Sequence, residues 1–488
     1  MKRLLAIFIL LSFFCFGLAV NIRAEEDSTI EPSAQELRLL ELINEARRAP
    51  LDMAVSLGMD REQILRDLPE LEDVLTQGMK PVAFNLQLYL AATAHNKDML
   101  TNNYYSHTSL DGQSYKDRIS DRGILSLLTG ERLGMISFKN FISSNDAVEI
   151  IFENMFRAEL AAAANEEMNM LNPDMEKIGI SLQAGALHIG GESRNAYLTV
   201  CDFAGAEIDW HAVEEYFYRR VNAFRVNPVQ ALEGKKERKD EVFEDLAWWG
   251  IQPLSRNSKL YESASRHVND MINRVYFDTV SPEGMGPFER SESVGYSAKR
   301  TEEVLGICVV AEDMTAKDIA ESIYENLLSG TLQYRNDGFW KMVQDSGMRE
   351  VGIAVQAFFF DIGASEKVLV CVLVADFADP ADQVSFIMGN VYRGDKNADS
   401  GSTGNDGICQ ISGNETENGI PEMKVYVTPF GGKNIIATTV TGTYGNFQME
   451  IPGGFSELLV EDFEGNVVAV EYVYFQGQNV WKDIWVCP

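Results

Sequence analysis

Apolar residues recur at helical spacing in several stretches of the first two hundred positions. Leu39, Ile43 and Ala46 fall on one face of a helix that Ser33 and Glu36 cap and Pro50 ends. Leu88, Ala92 and Met99, with His95 on the same face, form a second stripe, and Ile151–Asn154 sits in a third helix. Two apolar runs of strand length follow, Ile178–Leu182 and Tyr197–Phe203. The order then returns. Asp209 caps a helix with Phe217, Val221 and Phe224 on one face that stops at Pro228. Leu260, Ala264, His267 and Met271 repeat the second stripe, Ile323–Asn326 the third helix, and Val351–Phe359 and Val368–Phe377 the strands. Helices followed by strands, twice over, predict two α+β domains.

The two halves are copies. YYSHTSLDG at Tyr104–Gly112 returns as YFDTVSPEG at Tyr276–Gly284. One step of 172 residues carries His95 to His267, Met99 to Met271, Arg118 to Arg290 and Glu131 to Glu303. Asn44 and Arg47 reach Asn222 and Arg225 by a step of 178, so an intervening loop differs by six residues. At one position chemistry is lost: His107 becomes Thr279. Beyond Asp382 the pattern changes to short alternating strands between Gly, Asn and Pro turns, which predicts a small all-β sandwich.

Composition adds three constraints. A chain of 488 residues suggests about three domains. A formal charge of −31 without any basic block argues against nucleic acid and for a solvated acidic surface. Lys2 and Arg3 precede an apolar run, Leu4–Val20, with small residues at Gly17 and Ala19, the pattern of a signal peptide over residues 1–24. The expected destination is secreted or periplasmic, with membrane contact only during export. Of six cysteines, Cys201 and Cys371 lie in strand-like runs and read as buried thiols, while Cys409 and Cys487 could bridge the tail. No CxxC, HExxH, GxSxG or phosphate-loop glycine pattern occurs.

The ordered set of motifs resembles the CAP superfamily, the SCP-like secreted domains of bacteria. It comprises Asn44 and Arg47, AHNKDM (Ala94–Met99), YYSHTSLDGQSYKDRI (Tyr104–Ile119), Gly130–Glu131 and MLNPDMEKIGI (Met170–Ile180). The resemblance covers most of residues 33–205, and 210–380 looks like a degenerate copy. It implies two α-β-α sandwiches, each with a shallow cleft where a His of the SHTS loop meets a Glu of the GE turn. His107 and Glu131 match those positions, while Glu166 stands where the family has its other cleft histidine. One imidazole and two carboxylates make a harder site than a pair of imidazoles, so Zn2+ is a weak candidate at His107 and Glu131. Glu153 could add a carboxylate. In the second copy the matching positions are Thr279, Glu303 and, approximately, Phe339, an expected inert cleft. His95, on an apolar stripe and retained as His267, reads as a packing residue.

The tail, over 384–488, is similar to the B-type repeats of bacterial surface adhesins and to carboxypeptidase regulatory-like sandwiches. Asp395, Asn397 and Asp399 alternate as D-x-N-x-D with Asp406 nearby, a candidate Ca2+ loop, although Ser400 stands where an EF-hand needs glycine. Two functions follow. One is a non-enzymatic binding module at the cell envelope, taking a lipid, metal, cell-wall or protein ligand. The other is a hydrolase of peptide or cell-wall material, with His107 as base, Glu131 as its orienting carboxylate and Glu166 as acid.

Overall fold

The computed structural model describes residues 31–163, 168–189, 192–231, 250–329, 337–363, 367–382, 384–394 and 419–486. The signal segment, Glu166, the candidate calcium residues Asp395, Asn397, Asp399 and Asp406, and Cys409 and Cys487 lie outside them. Contacts divide the chain into two compact units. One holds the described residues up to Ile208 with Phe359–Leu369; the other holds Asp209–Phe358 and everything described from Val370 onward.

In the first unit four strands, β1 (Ala83–Phe84), β2 (Thr129–Phe138), β3 (Met175–Ile189) and β4 (Glu192–Gly205), form a sheet in the order β1-β3-β4-β2. β1 runs parallel to β3 and the other pairings are antiparallel. Alternation along β4 supplies two cores. Cys201 and Phe203 face the helices Ala34–Arg48 and Ser144–Ala162, whereas Leu198 and Val200 face Ala92 and Met99 of the helix Leu86–Asn102. Helices therefore cover both faces. The Leu86–Asn102 helix lies flush on the sheet because Gly179 has no side chain: a Cβ there would stand 2.0 Å from the Tyr89 backbone nitrogen.

The second repeat, which lies mostly in the second unit, has the same topology with β5 (Ser255–Arg256), β6 (Ala298–Val309), β7 (Glu350–Asp361) and β8 (Lys367–Pro380) in the order β5-β7-β8-β6. Gly352 plays the part of Gly179, since a Cβ there would meet the Leu260 carbonyl carbon at 2.1 Å. The strand-rich tail shares this unit instead of standing apart. Its strands form two sheets, one of Lys424–Pro429, Ala437–Val440, Gly454–Glu461 and Val467–Phe475, the other built on Phe386–Arg393. Ile387, Val425, Phe447, Val460 and Ile484 share one core between them. The tail is fastened to the second repeat by buried polar contacts. The Asn479 amide donates to the carbonyls of Pro253 and Arg349 at 3.1 and 2.9 Å, and Arg349 donates to those of Val384 and Gly477 at 3.0 and 3.1 Å.

The Asn-x-x-Arg motif is structural in both copies. Asn44 exchanges hydrogen bonds with the Val82 backbone, and Asn222 does so with Leu254. Arg47 is fully buried and donates to the carbonyls of Lys80, Met170, Asn172 and Met175 at 2.8–2.9 Å. Arg225 does the same for Gln252, Met342, Val343, Asp345 and Met348. Burial lowers these guanidinium groups to about 10 and about 9. Loops that need several carbonyls satisfied are thus tied to one helix by a single cation.

Candidate functional site

The helix Leu86–Asn102 ends at Asn103, in the left-handed conformation with φ 55°, and the chain turns sharply into the loop that carries His107. His107 Nδ1 lies 2.8 Å from Glu131 Oε1 on β2. The other oxygen of Glu131 accepts from Arg118 at 2.7 Å, and the same guanidinium nitrogen donates to the His107 carbonyl at 2.9 Å. Glu131 and Arg118 are buried, while the His107 side chain is 55% exposed. The carboxylate accepts, so Nδ1 carries the hydrogen and Nε2 is the ring atom a ligand can meet.

Two groups behind this pair complete it. His95 donates from Nε2 to the Ser106 carbonyl at 2.9 Å and stands 3.9 Å from Glu131 Oε2. It is both a packing residue and a support for the His107 loop. Burial lowers its pKa against the pull of Glu131, which keeps it neutral. Asp202 faces Glu131 directly across the β2–β4 ladder and is fully buried. Burial, and then the charge of Glu131, raise its pKa well above 3.8, which favours the protonated form of Asp202.

The second repeat assembles the same parts differently. Arg290 donates to Glu303 at 2.6 Å and to the carbonyls of Thr279 and Met285 at 2.9 and 2.8 Å. With no histidine at Thr279, His267 turns its Nδ1 to Glu303 at 2.8 Å. The His267 side chain is 1% exposed, and burial followed by the Arg290 charge lowers it to about 4. Burial raises Glu303 to about 7, and burial also raises Asp376, opposite it on β8, well above its ordinary value. The expected cleft positions therefore do not act together. Phe339 packs in the core against Phe217 and Tyr324, with ring centroids 6.3 and 5.8 Å away.

Other candidates separate from His107. Glu153 pairs with Arg157 at 2.8 Å and lines a different cavity with Leu42, Met53 and Phe152. The Ser106 hydroxyl accepts from the Thr108 amide and Ser109 from Arg118, so among the described hydrogen bonds none brings a hydroxyl to His107. Among the described residues no three of His, Cys, Asp and Glu could hold a metal ion. With Glu131 engaged by His107 and Arg118, the residues described do not fit Zn2+, which takes at least three protein ligands. Cys201, Cys308 and Cys371 are buried free thiols. Asp202 and Asp376 were hidden inside apolar runs; the recurrence of Asp-Phe-Ala at Asp202–Ala204 and Asp376–Ala378 is the signal that marks them.

Among known proteins, the cysteine-rich secretory protein family, CAP, matches at residues 40–203 and again at 218–360. No curated protein matches the chain. Among the similar solved structures are two at 12% identity. An outer surface protein from Borrelia burgdorferi covers 36% of this chain and 98% of its own, with a TM-score of 0.22. An extracellular protein containing a SCP domain from Bacillus anthracis covers 38% of this chain and 53% of its own, with a TM-score of 0.21. At such TM-scores these two likenesses carry no weight, and the assignment rests on the paired family match and the repeated topology: the chain belongs to the CAP family, with two CAP domains in tandem.

Proposed function

We propose that the protein is an exported binding module of the cell envelope, with its ligand site at His107 and Glu131 in the first CAP domain. The observation that carries this reading is an exposed imidazole held on a buried, neutralised carboxylate. Such a ring is fixed in tautomer and direction and presents one nitrogen outward, which suits recognition of a hydrogen-bond donor on a lipid, cell-wall or protein ligand. Export is supported by the signal-like pattern of Lys2, Arg3 and Leu4–Val20. The two sheets around one core support a β-sandwich reading of the tail, for which calcium at Asp395, Asn397, Asp399 and Asp406 is tested by a calcium-dependent rise in Tm.

Native mass spectrometry of the protein taken gently from its own envelope tests the site. A discrete added mass, absent in His107→Ala, is the expected result; the same adduct on both proteins removes the ligand from this site. The imidazole–carboxylate pair also has the geometry of an oriented general base. That reading requires turnover of peptidoglycan or casein that His107→Ala abolishes.

A further inference from the structure

We infer that the second CAP domain carries its own small-molecule site, separate from its Thr279 cleft position and built for a compact hydroxy acid. A cavity of about 280 Å³ opens between the helix Ser258–Arg274 and the segment Ser281–Val294. His267, Arg266, Arg274, Arg290, Met285 and Val294 are among the residues lining it. Three nearly buried groups in its wall carry polar atoms without a hydrogen-bond partner, Oγ of Ser263, Nε2 of His267 and Nε of Arg290. Because Nδ1 of His267 is bound to Glu303 on the sheet, Nε2 is the ring atom left without a partner, on a residue that lines the cavity. A buried polar atom without a partner is costly, so a ligand that satisfies it gains the difference.

The first repeat shows that this arrangement is not a consequence of the fold alone. There the equivalent imidazole, His95, has its rotation reversed: Nε2 is used by Ser106, and Nδ1 is approached by Tyr104 and Ser109 hydroxyls at 3.4 and 3.5 Å. In the second repeat the Ser281 hydroxyl has turned to the Met285 amide. The residues around the ring have also changed. At the step of 172, Arg266 replaces Ala94, Arg274 replaces Asn102, Met285 replaces Gln113 and Val294 replaces Arg122. The second repeat has gained two cations on the helix side and two apolar residues on the loop side.

These groups define the ligand. A neutral Nε2 accepts a hydrogen bond, so the ligand brings a donor. Arg274 is held by Asp270 and Glu283, and Arg266 is paired with Glu262 on an exposed surface where such a bond is weak. The Arg266 guanidinium is therefore the group free to exchange Glu262 for a ligand carboxylate in a two-pronged contact. Met285 and Val294 suit a short carbon skeleton. A hydroxyl on Nε2, a carboxylate on Arg266 and a few carbons between them describe a small hydroxy acid.

The test is a titration of the full mature chain, labelled with 15N-histidine, with lactate and malate, using acetate as a carboxylate without the hydroxyl. The five histidines give few resonances, and His267→Gln assigns the one in question. We expect a saturable shift of the His267 ring nitrogens with lactate or malate, at least about tenfold weaker with acetate. Arg266→Glu, at an exposed position that preserves the fold, weakens binding by at least about tenfold, while His107→Ala leaves it unchanged. No saturable shift with either hydroxy acid, equal binding of acetate, or indifference to Arg266→Glu overturns the proposal.

Discussion

The two CAP domains hold the same buried trio, a glutamate on one strand, an arginine on the short helix before it and a protonated aspartate opposite, yet they present it to opposite environments. In the first, the imidazole comes from the loop and faces solvent. In the second it comes from the packed helix and faces a cavity. Losing the loop histidine did not leave Glu303 without an imidazole: the neighbouring ring meets Oε2, the oxygen that Arg290 also uses, and Oε1 has no hydrogen-bond partner. The carboxylate–arginine centre is thus the common structural pin, and the choice of histidine decides whether an exposed loop ring or a buried helix ring is held on it.

That contrast can be broken most severely at its shared part. Arg118→Met and Arg290→Met each leave a buried glutamate without its cation and several loop carbonyls without a donor. Each should cost about 3–5 kcal/mol in urea unfolding, in both domains alike. The histidines should then separate the domains. His267→Ala removes a buried, hydrogen-bonded ring and should cost about 2–3 kcal/mol, whereas His107→Ala should cost less than about 1 kcal/mol. Equal losses would make the exposed ring a structural one.

Acidity sharpens the comparison further. Asp202 has its folded pKa raised, so its contribution is fully present below its ordinary value of 3.8 and is lost as pH rises through the folded value. Asp202→Asn keeps the shape of the side chain without a group that must ionise. It should stabilise the protein by about 1–2 kcal/mol at about pH 8 and by nothing at about pH 3, as read from Tm across pH. His267 shifts the other way: its folded pKa is lowered to about 4, so its contribution is present above its unfolded value and is lost as pH falls from there through about 4. The smallest effect belongs to Thr279→His. Glu303 Oε2 is already taken by His267 and Arg290, so the new ring can meet only the unpartnered Oε1, and from a partly exposed loop it should change stability by less than about 0.5 kcal/mol. In the His267→Ala background it should restore part of the loss, as a double-mutant cycle would show.

Much of this was legible in the chain. The constant step of 172 residues exposed the repeat, and helical spacing placed His95 and His267 on buried faces. The family motif paired His107 with Glu131. What spacing cannot supply is side-chain rotation, and the role of His267 depends on it: face was readable, direction was not. Asp202 and Asp376 escaped for a different reason. Each is a lone acid within an apolar strand, where charge would be prohibitive, and the structure answers by keeping them protonated. Their recurrence at a step of 174, two residues off the main register, hid the pairing.

The buried guanidinium of Arg47 has a consequence for the order in which the first domain can form. Its acceptors are contributed by Lys80 and then by Met170, Asn172 and Met175, more than a hundred residues downstream. A chain emerging N-terminus first carries this cation on its opening helix with most of its partners still unmade. Closing the core around it is unfavourable until the segment near Met175 has arrived. The domain therefore cannot complete its core around Arg47 until the carbonyls of Met170, Asn172 and Met175 are in place.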